Sequence, residues 1–252
     1  MILISKIIAL NWKMNKNPEE TLSFLSQARE FLKNKKVNNK IVISPTFLCL
    51  KDAINFVKSK NMDMSIFAQN CHWEDQGAFT GEISAKTLKD INTNGVILGH
   101  SERKSLGENE IIFNKKLKSA LKFDLEVILC IGETETEYKN NETIDTINWQ
   151  IKFLLKDIDE KYRERITIAY EPIWSIGTSK TPKIEDIEKI STLIKNATKH
   201  IFEEPLKTIY GGSVNTNNFA EILAINKLDG ILIGAASLSI NNFFKFISFS
   251  QQ

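Results

Sequence analysis

Eight short runs rich in Ile and Val recur along this chain, and a segment of helical character separates each from the next. They cover residues 6–10, 40–44, 64–68, 95–98, 126–131, 166–170, 206–210 and 230–233. Their near-continuous apolar character is that of strands buried on both faces, as in a parallel sheet covered by helices. The first helix is announced by Asn17 as a cap, Pro18 at the first helical position and a Leu22, Leu25, Ala28, Leu32 stripe. Further helices are expected within residues 48–60, 108–122, 143–158, 183–200, 217–225 and 239–249, with a short one near 85–90. Strict alternation implies parallel strands with right-handed crossovers, and eight units are the number that closes a barrel. The 252 residues are close to the roughly 250 of one such barrel, and no Gly- or Pro-rich linker divides them. The expectation is therefore an α/β protein, a single (β/α)8 barrel domain over residues 1–252, with an open doubly wound sheet as the alternative.

Composition narrows the function classes. Lys plus Arg total 33 against 31 Asp plus Glu, and a net charge of +2 supplies no basic footprint for nucleic acid. The opening MILISKIIAL is interrupted by Lys6 and lacks a small-residue cleavage site, so it reads as a buried strand and not as a signal sequence. No stretch approaches the roughly 18 apolar residues of a membrane span, and a soluble protein is expected. Cys49, Cys71 and Cys130 are odd in number and form no CxxC pair, which argues against a disulfide framework or a zinc knuckle and for a reducing, cytoplasmic setting. KNKKVNNK, residues 33–40, reads as a solvated connection.

Four polar motifs follow directly on apolar runs: NWK ending at Lys13, GHSER at Arg103, YEPIWSIGT at Thr178 and YGGSV at Val214. In a (β/α)8 barrel the segments just past the strands' carboxyl ends form the active site, so these motifs should converge. Asn11 and Lys13, two residues apart on an extended chain, share a face. His100 could donate from a neutral imidazole to a substrate carbonyl, with Glu102 and Arg103 forming an ion pair beside it. Glu171 is held at a strand end by Pro172, and the following segment has the makings of a hinged lid, anchored by Trp174 and mobile at Gly177. Gly211, Gly212, Ser213, Gly234 and Ala235 follow the last two strands, where barrels often bind phosphate on backbone amides. Taken singly, each feature is weak. A lysine after a strand is usually solvated, a lone histidine is usually structural, and a glutamate is more often an ion-pair partner than a base. His72 in a loop and His200 near a helix end are read as structural.

Together with AQN, GAFTGE, LCIGET and LIGAASL, which occur in the same order and at near-family spacing, these motifs make the chain resemble the triosephosphate isomerase family over essentially its whole length. The resemblance implies the TIM barrel fold and the interconversion of dihydroxyacetone phosphate and glyceraldehyde 3-phosphate through an enediolate, a step of glycolysis and gluconeogenesis that needs no metal or other cofactor. It implies Lys13 as electrostatic clamp, His100 as electrophile, Glu171 as base and Asn11 as a positioning residue. Gly177, Ser213, Gly234 and Ala235 match the positions whose amides bind phosphate. GAFTGE, from Gly77 to Glu82, matches the loop that enters a second subunit and brings Thr80 to its active site, so a homodimer is expected.

The chain departs from the family where Ala235 replaces a glycine, where Ser175 and Ser179 replace Ala and Gly in the lid, and in a shorter connection between GHSER and Gly107. Ala235 predicts a negative φ, because its Cβ disfavours the left-handed region. Pro182 has no backbone N–H to give the Tyr210 hydroxyl, so the lid is expected to close without that latch and loss of the hydroxyl to be nearly silent. Competing functions are another phosphate-binding barrel enzyme, which leaves Lys13, His100 and Glu171 unexplained as a set, and a catalytically silent binding barrel, which retention of all three disfavours.

Overall fold

The computed structural model describes residues 5–33, 35–177 and 181–249. The expectations that fall on residues 1–4, on Asn34 and on the lid residues Thr178, Ser179 and Lys180 lie outside the described residues. Eight parallel strands close into a barrel in sequence order: β1 (Ile7–Asn11), β2 (Lys40–Ser44), β3 (Ser65–Ala68), β4 (Gly95–Leu98), β5 (Glu126–Ile131), β6 (Ile166–Tyr170), β7 (Lys207–Tyr210) and β8 (Gly230–Ile233). β8 pairs back onto β1, with Ile7 opposite Gly230 and Leu10 opposite Ile233, which rules out the open sheet.

Alternation of side chains divides the core in two. Ala9, Val42, Phe67, Ile128, Ala169 and Leu232 are among those that fill the barrel interior, whereas their neighbours Ile8, Leu10, Ile41, Ile43 and Ile168 face the helices. Both sets are buried, so the strand sequences read as continuous apolar runs.

Helix α1 (Pro18–Leu32) starts as expected, with a capping box in which Asn17 and Glu20 each bond the other's backbone N–H, at 2.8 and 2.9 Å. Its buried face is Thr21, Phe24, Leu25 and Ala28, rotated from the expected stripe because Phe24 packs edge-on against Trp12 and Phe243. Leu22 and Leu32 are only half-buried. Next come α2 (Phe47–Ser59) and α3 (Ala85–Asp90). The helix expected over 108–122 is α5 (Glu110–Lys122), which begins after Asn109, whose side chain caps it by accepting from Ile112 N–H at 3.2 Å, and a short helix that was not expected, α4 (Ser101–Ser105), lies upstream of it. α6 (Glu135–Lys139) was not expected, and it precedes α7 (Thr143–Leu154), which ends earlier than periodicity implied. α8 (Ile184–Lys199), α9 (Phe219–Leu223) and α10 (Ile240–Phe249) complete the layer, with His200 at the α8 C-cap. Short 3₁₀ turns occupy Ile173–Ser175 and Ala235–Leu238, one at the start of the lid and one after β8. No described helix is long and apolar enough to cross a membrane.

Candidate active site

All strands are parallel, so their carboxyl ends share one face, and a cavity of about 240 Å³ opens there. It is smaller than the roughly 300–1,000 Å³ that accommodates drug-sized ligands, which restricts it to a small molecule. Asn11, Lys13, His100, Glu171, Gly177, Ser213, Gly234 and Ala235 all line it. Every residue assigned to catalysis or substrate binding on sequence grounds is thus at one cavity. Ile176, Val214 and Leu232 add an apolar lining that the polar motifs did not signal.

Lys13 does not continue an extended chain, contrary to expectation: its φ is +53°, in the left-handed region. Such a backbone is strained for a residue with a Cβ, and its neighbours hold it there. Asn11 Oδ1 accepts the Lys13 N–H at 3.0 Å, and Gln69 Nε2 donates to the Lys13 carbonyl and to Ser44, each at 2.8 Å. The turn directs Nζ into the cavity, 2.8 Å from Glu102 Oε1. Glu102 is more than half exposed, so this pair is weak and the ammonium can be recruited by an anionic ligand.

The expected Glu102–Arg103 ion pair is absent. Successive residues on the first turn of α4 point in different directions. Glu102 turns to Lys13, whereas Arg103 bonds Glu108 through Nε at 2.7 Å and through Nη2. Glu108 also holds Lys116, which is 2% exposed, at 2.7 Å, and Lys116 donates to Asn70 Oδ1 at 2.9 Å. Burial alone would raise the Glu108 pKa, but the hydrogen bonds from Lys116 and Arg103 outweigh it and hold the carboxyl below its usual value.

His100 is the N-cap of α4, and its Nδ1 accepts the Glu102 N–H at 3.1 Å. A ring nitrogen that accepts carries no proton, so in this geometry the proton of the neutral ring is on Nε2. Nε2 faces Glu171 Oε1 at 3.8 Å. Glu171 is 2% exposed, and its carboxylate oxygens have no nitrogen or oxygen hydrogen-bond donor among the described residues, with only the weakly donating Cys130 thiol beside them. A buried acceptor without such a donor is costly, and its placement against a cavity marks it for a ligand. Beneath it, burial first and the Glu171 charge second push the Cys130 thiol well above its usual pKa.

The lid departs from a fixed base. Trp174 Nε1 donates to Glu133 Oε1 at 2.8 Å, Tyr170 donates to the same oxygen at 3.2 Å, and the Trp174 ring stacks on Tyr138 at 4.3 Å. Ser175, fully buried, lies with its Oγ 3.4 Å from the Tyr210 hydroxyl. The expectation that Pro182 leaves this hydroxyl without a lid partner is therefore corrected. Sequence alone offered no signal for this contact, because Ser175, in the 3₁₀ turn after β6, and Tyr210, at the end of β7, belong to different strand units. Ala235 opens its 3₁₀ turn without a positive φ, as its Cβ requires. Thr80 stands apart from the cavity, on a loop exposed from Gln76 to Glu82.

A closed (β/α)8 barrel that gathers a glutamate, a histidine and a lysine around a small cavity at the strands' carboxyl ends, with glycine-containing turns at one wall, has the architecture of a (β/α)8-barrel enzyme. The triosephosphate isomerase family profile matches residues 6–250. Triosephosphate isomerase of Dictyoglomus turgidum is 40% identical over 96% of this chain and 98% of its own length, and that of Acetivibrio thermocellus is 36% identical over 98% and 99%. The crystal structure of triosephosphate isomerase from Bartonella henselae superposes with a TM-score of 0.88, at 30% identity, covering 99% of this chain and all of that one. This chain belongs to the triosephosphate isomerase family.

Proposed function

We propose that Glu171 removes a proton from the carbon beside the substrate carbonyl while His100 Nε2–H and Lys13 Nζ stabilise the charge that develops on oxygen. The enzyme interconverts dihydroxyacetone phosphate and glyceraldehyde 3-phosphate. The proton leaves one carbon, an enediolate forms, and reprotonation at the neighbouring carbon gives the isomer. This division between a glutamate base and a neutral histidine is the family's familiar one. Asn11 holds Lys13 in its left-handed turn. The amides of Gly177, Ser213, Gly234 and Ala235 bind the phosphate, and closure of the segment after Trp174 shields the intermediate from water.

The observation that carries this reading is the buried Glu171 carboxylate, without a nitrogen or oxygen donor bonded to it among the described residues, facing His100 Nε2 at 3.8 Å. Glu171→Asp withdraws the carboxylate by about one methylene, and transfer requires heavy-atom approach within roughly 2.6–3.2 Å. A coupled assay starting from glyceraldehyde 3-phosphate should show kcat reduced by orders of magnitude with KM little changed. Near-normal turnover would remove Glu171 as the base.

The chain acts as a single barrel domain and as a homodimer. A second cavity of about 140 Å³, shared by Asn11, Lys13, His100, Glu102 and Arg103, opens beside exposed Phe47 and supports entry of the partner subunit's Thr80 there. Three buried free thiols suit a reducing cytoplasm.

A further inference from the structure

Ser175 Oγ accepts a hydrogen bond from Ser213 N–H at 3.3 Å while lying 3.4 Å from the Tyr210 hydroxyl. Ser175 and Tyr210 are both fully buried, and neither lines the cavity. Ser213 does line it. The donor in the wall of the cavity is thus engaged by a hydroxyl behind that wall. Gly212 closes the arrangement, because a Cβ added there would fall 2.1 Å from the Tyr210 hydroxyl and 3.0 Å from Ser175 Oγ. Three chain segments, the end of β7, the turn after it and the 3₁₀ turn that opens the lid, are bonded through one serine oxygen.

We infer that Ser175 is a positioning residue that competes with the substrate's phosphate for the Ser213 N–H, holding the donor in the empty site and releasing it when an anion binds. The inference rests on the proposed use of the Ser213 amide in phosphate binding. An N–H engaged by Ser175 must lose or share that bond before it can serve an oxygen in the cavity, so the hydroxyl weakens anion affinity and ties release of the donor to the start of the lid. The bond is long and between neutral groups, and removing a competitor of that kind strengthens binding by roughly two- to tenfold.

Amide NMR of the full-length enzyme, titrated with inorganic phosphate, tests this together with steady-state kinetics. In Ser175→Ala the Ser213 amide of the empty protein should shift from its wild-type position, and phosphate should bind roughly two- to tenfold tighter, with KM lowered in parallel. A serine confined to a structural role would not couple the empty-state Ser213 signal to phosphate affinity. Should Ser175→Ala impair folding, hydrogen exchange at the Ser213 amide of the wild type supplies the second measurement: protection in the empty protein that persists in Tyr210→Phe supports Ser175 as the acceptor, and its absence from the wild type overturns the inference. Unchanged or weaker phosphate binding by Ser175→Ala, with the Ser213 signal still responding to phosphate, would overturn the competition and leave the proposed function intact. A Ser213 signal that ignores phosphate in both proteins would overturn the competition and the assignment of this amide to the phosphate.

Discussion

At the scale of single residues the base is positioned by what is missing beside it. A Cβ added at Gly211 would lie 2.8 Å from Glu171 Cγ and 3.2 Å from Oε1, so only a hydrogen leaves the carboxylate its place. Gly211→Ala should push the base away from His100 without disturbing the distant core. Misplacement of a reacting group by about 1 Å can cost on the order of a hundredfold in rate. Kinetics should therefore show kcat reduced on that order while calorimetry shows a nearly unchanged Tm, and full turnover by the variant would mean that Glu171 tolerates relocation and is not the base. Lys13 illustrates the opposite device. Its left-handed φ of +53° is upheld by Asn11 and Gln69, so Gln69→Leu, which removes the donor to the Lys13 carbonyl, should raise KM more than it lowers kcat. An unaltered KM in the same assay would show that the turn holds itself. Neither geometry was legible in the sequence: NWK marks the lysine but not its backbone, and YGGSV marks the glycines but not the carboxylate that one of them admits.

At the scale of elements, the Glu108 carboxylate ties α4 to α5 through Arg103 and Lys116, and Lys116 reaches Asn70 beyond β3. Lys116 is 2% exposed, so removing the partner charge leaves a buried ammonium uncompensated, a loss of about 3–5 kcal/mol. Urea unfolding of Glu108→Gln at neutral pH should report a loss of that size, and a change within about 0.5 kcal/mol would show the pair to be dispensable. The pH dependence has a definite sign. The Glu108 pKa is lowered from 4.5 in the folded state, so folding is favoured by its ionisation above that pH, and the contribution is lost as pH falls through the lower folded value. The wild type should lose this increment below pH 4.5, and Glu108→Gln should show a correspondingly flatter acid limb. The strands were readable because burial on both faces makes each an apolar run, and the α1 cap because its signal is local. α4 and α6 escaped because five residues are too few to show a helical stripe, although Thr134 and Glu137 spell out the capping box that starts α6. Expecting a Glu102–Arg103 pair failed for a related reason, since without α4 the two side chains had no reason to diverge.

At the scale of the whole molecule, the proposed homodimer gives a use to apolar side chains that the barrel exposes near its catalytic face. Met14 is 93% exposed and Leu48 85%, and both are next in sequence to residues of the second cavity, Lys13 and Phe47. Phe79 stands 42% exposed on the loop from Gly77 to Glu82, beside Thr80. In the proposed homodimer the exposed loop and the second cavity beside Phe47 would be the two halves of a self-complementary contact, which a twofold axis would satisfy at once. A stable contact of this kind buries roughly 1,200–2,000 Å² in total, more than these side chains alone can supply, so in the proposed dimer α2 and the turn after β1 would also take part. Sedimentation velocity should find the wild type at twice the monomer mass of 28.7 kDa. Leu48→Glu would place a charge where an apolar group packs in each of two symmetric copies, and should dissociate the protein while leaving its circular dichroism unchanged. The monomer should turn over more slowly, because the Asn11 and Lys13 side of the site opens to water when the partner's loop departs. Thr80→Ala provides the complementary variant, keeping the dimer and lowering the rate less. A wild-type protein that sediments as a monomer with full activity would overturn the dimer and, with it, any role for Thr80 at the site.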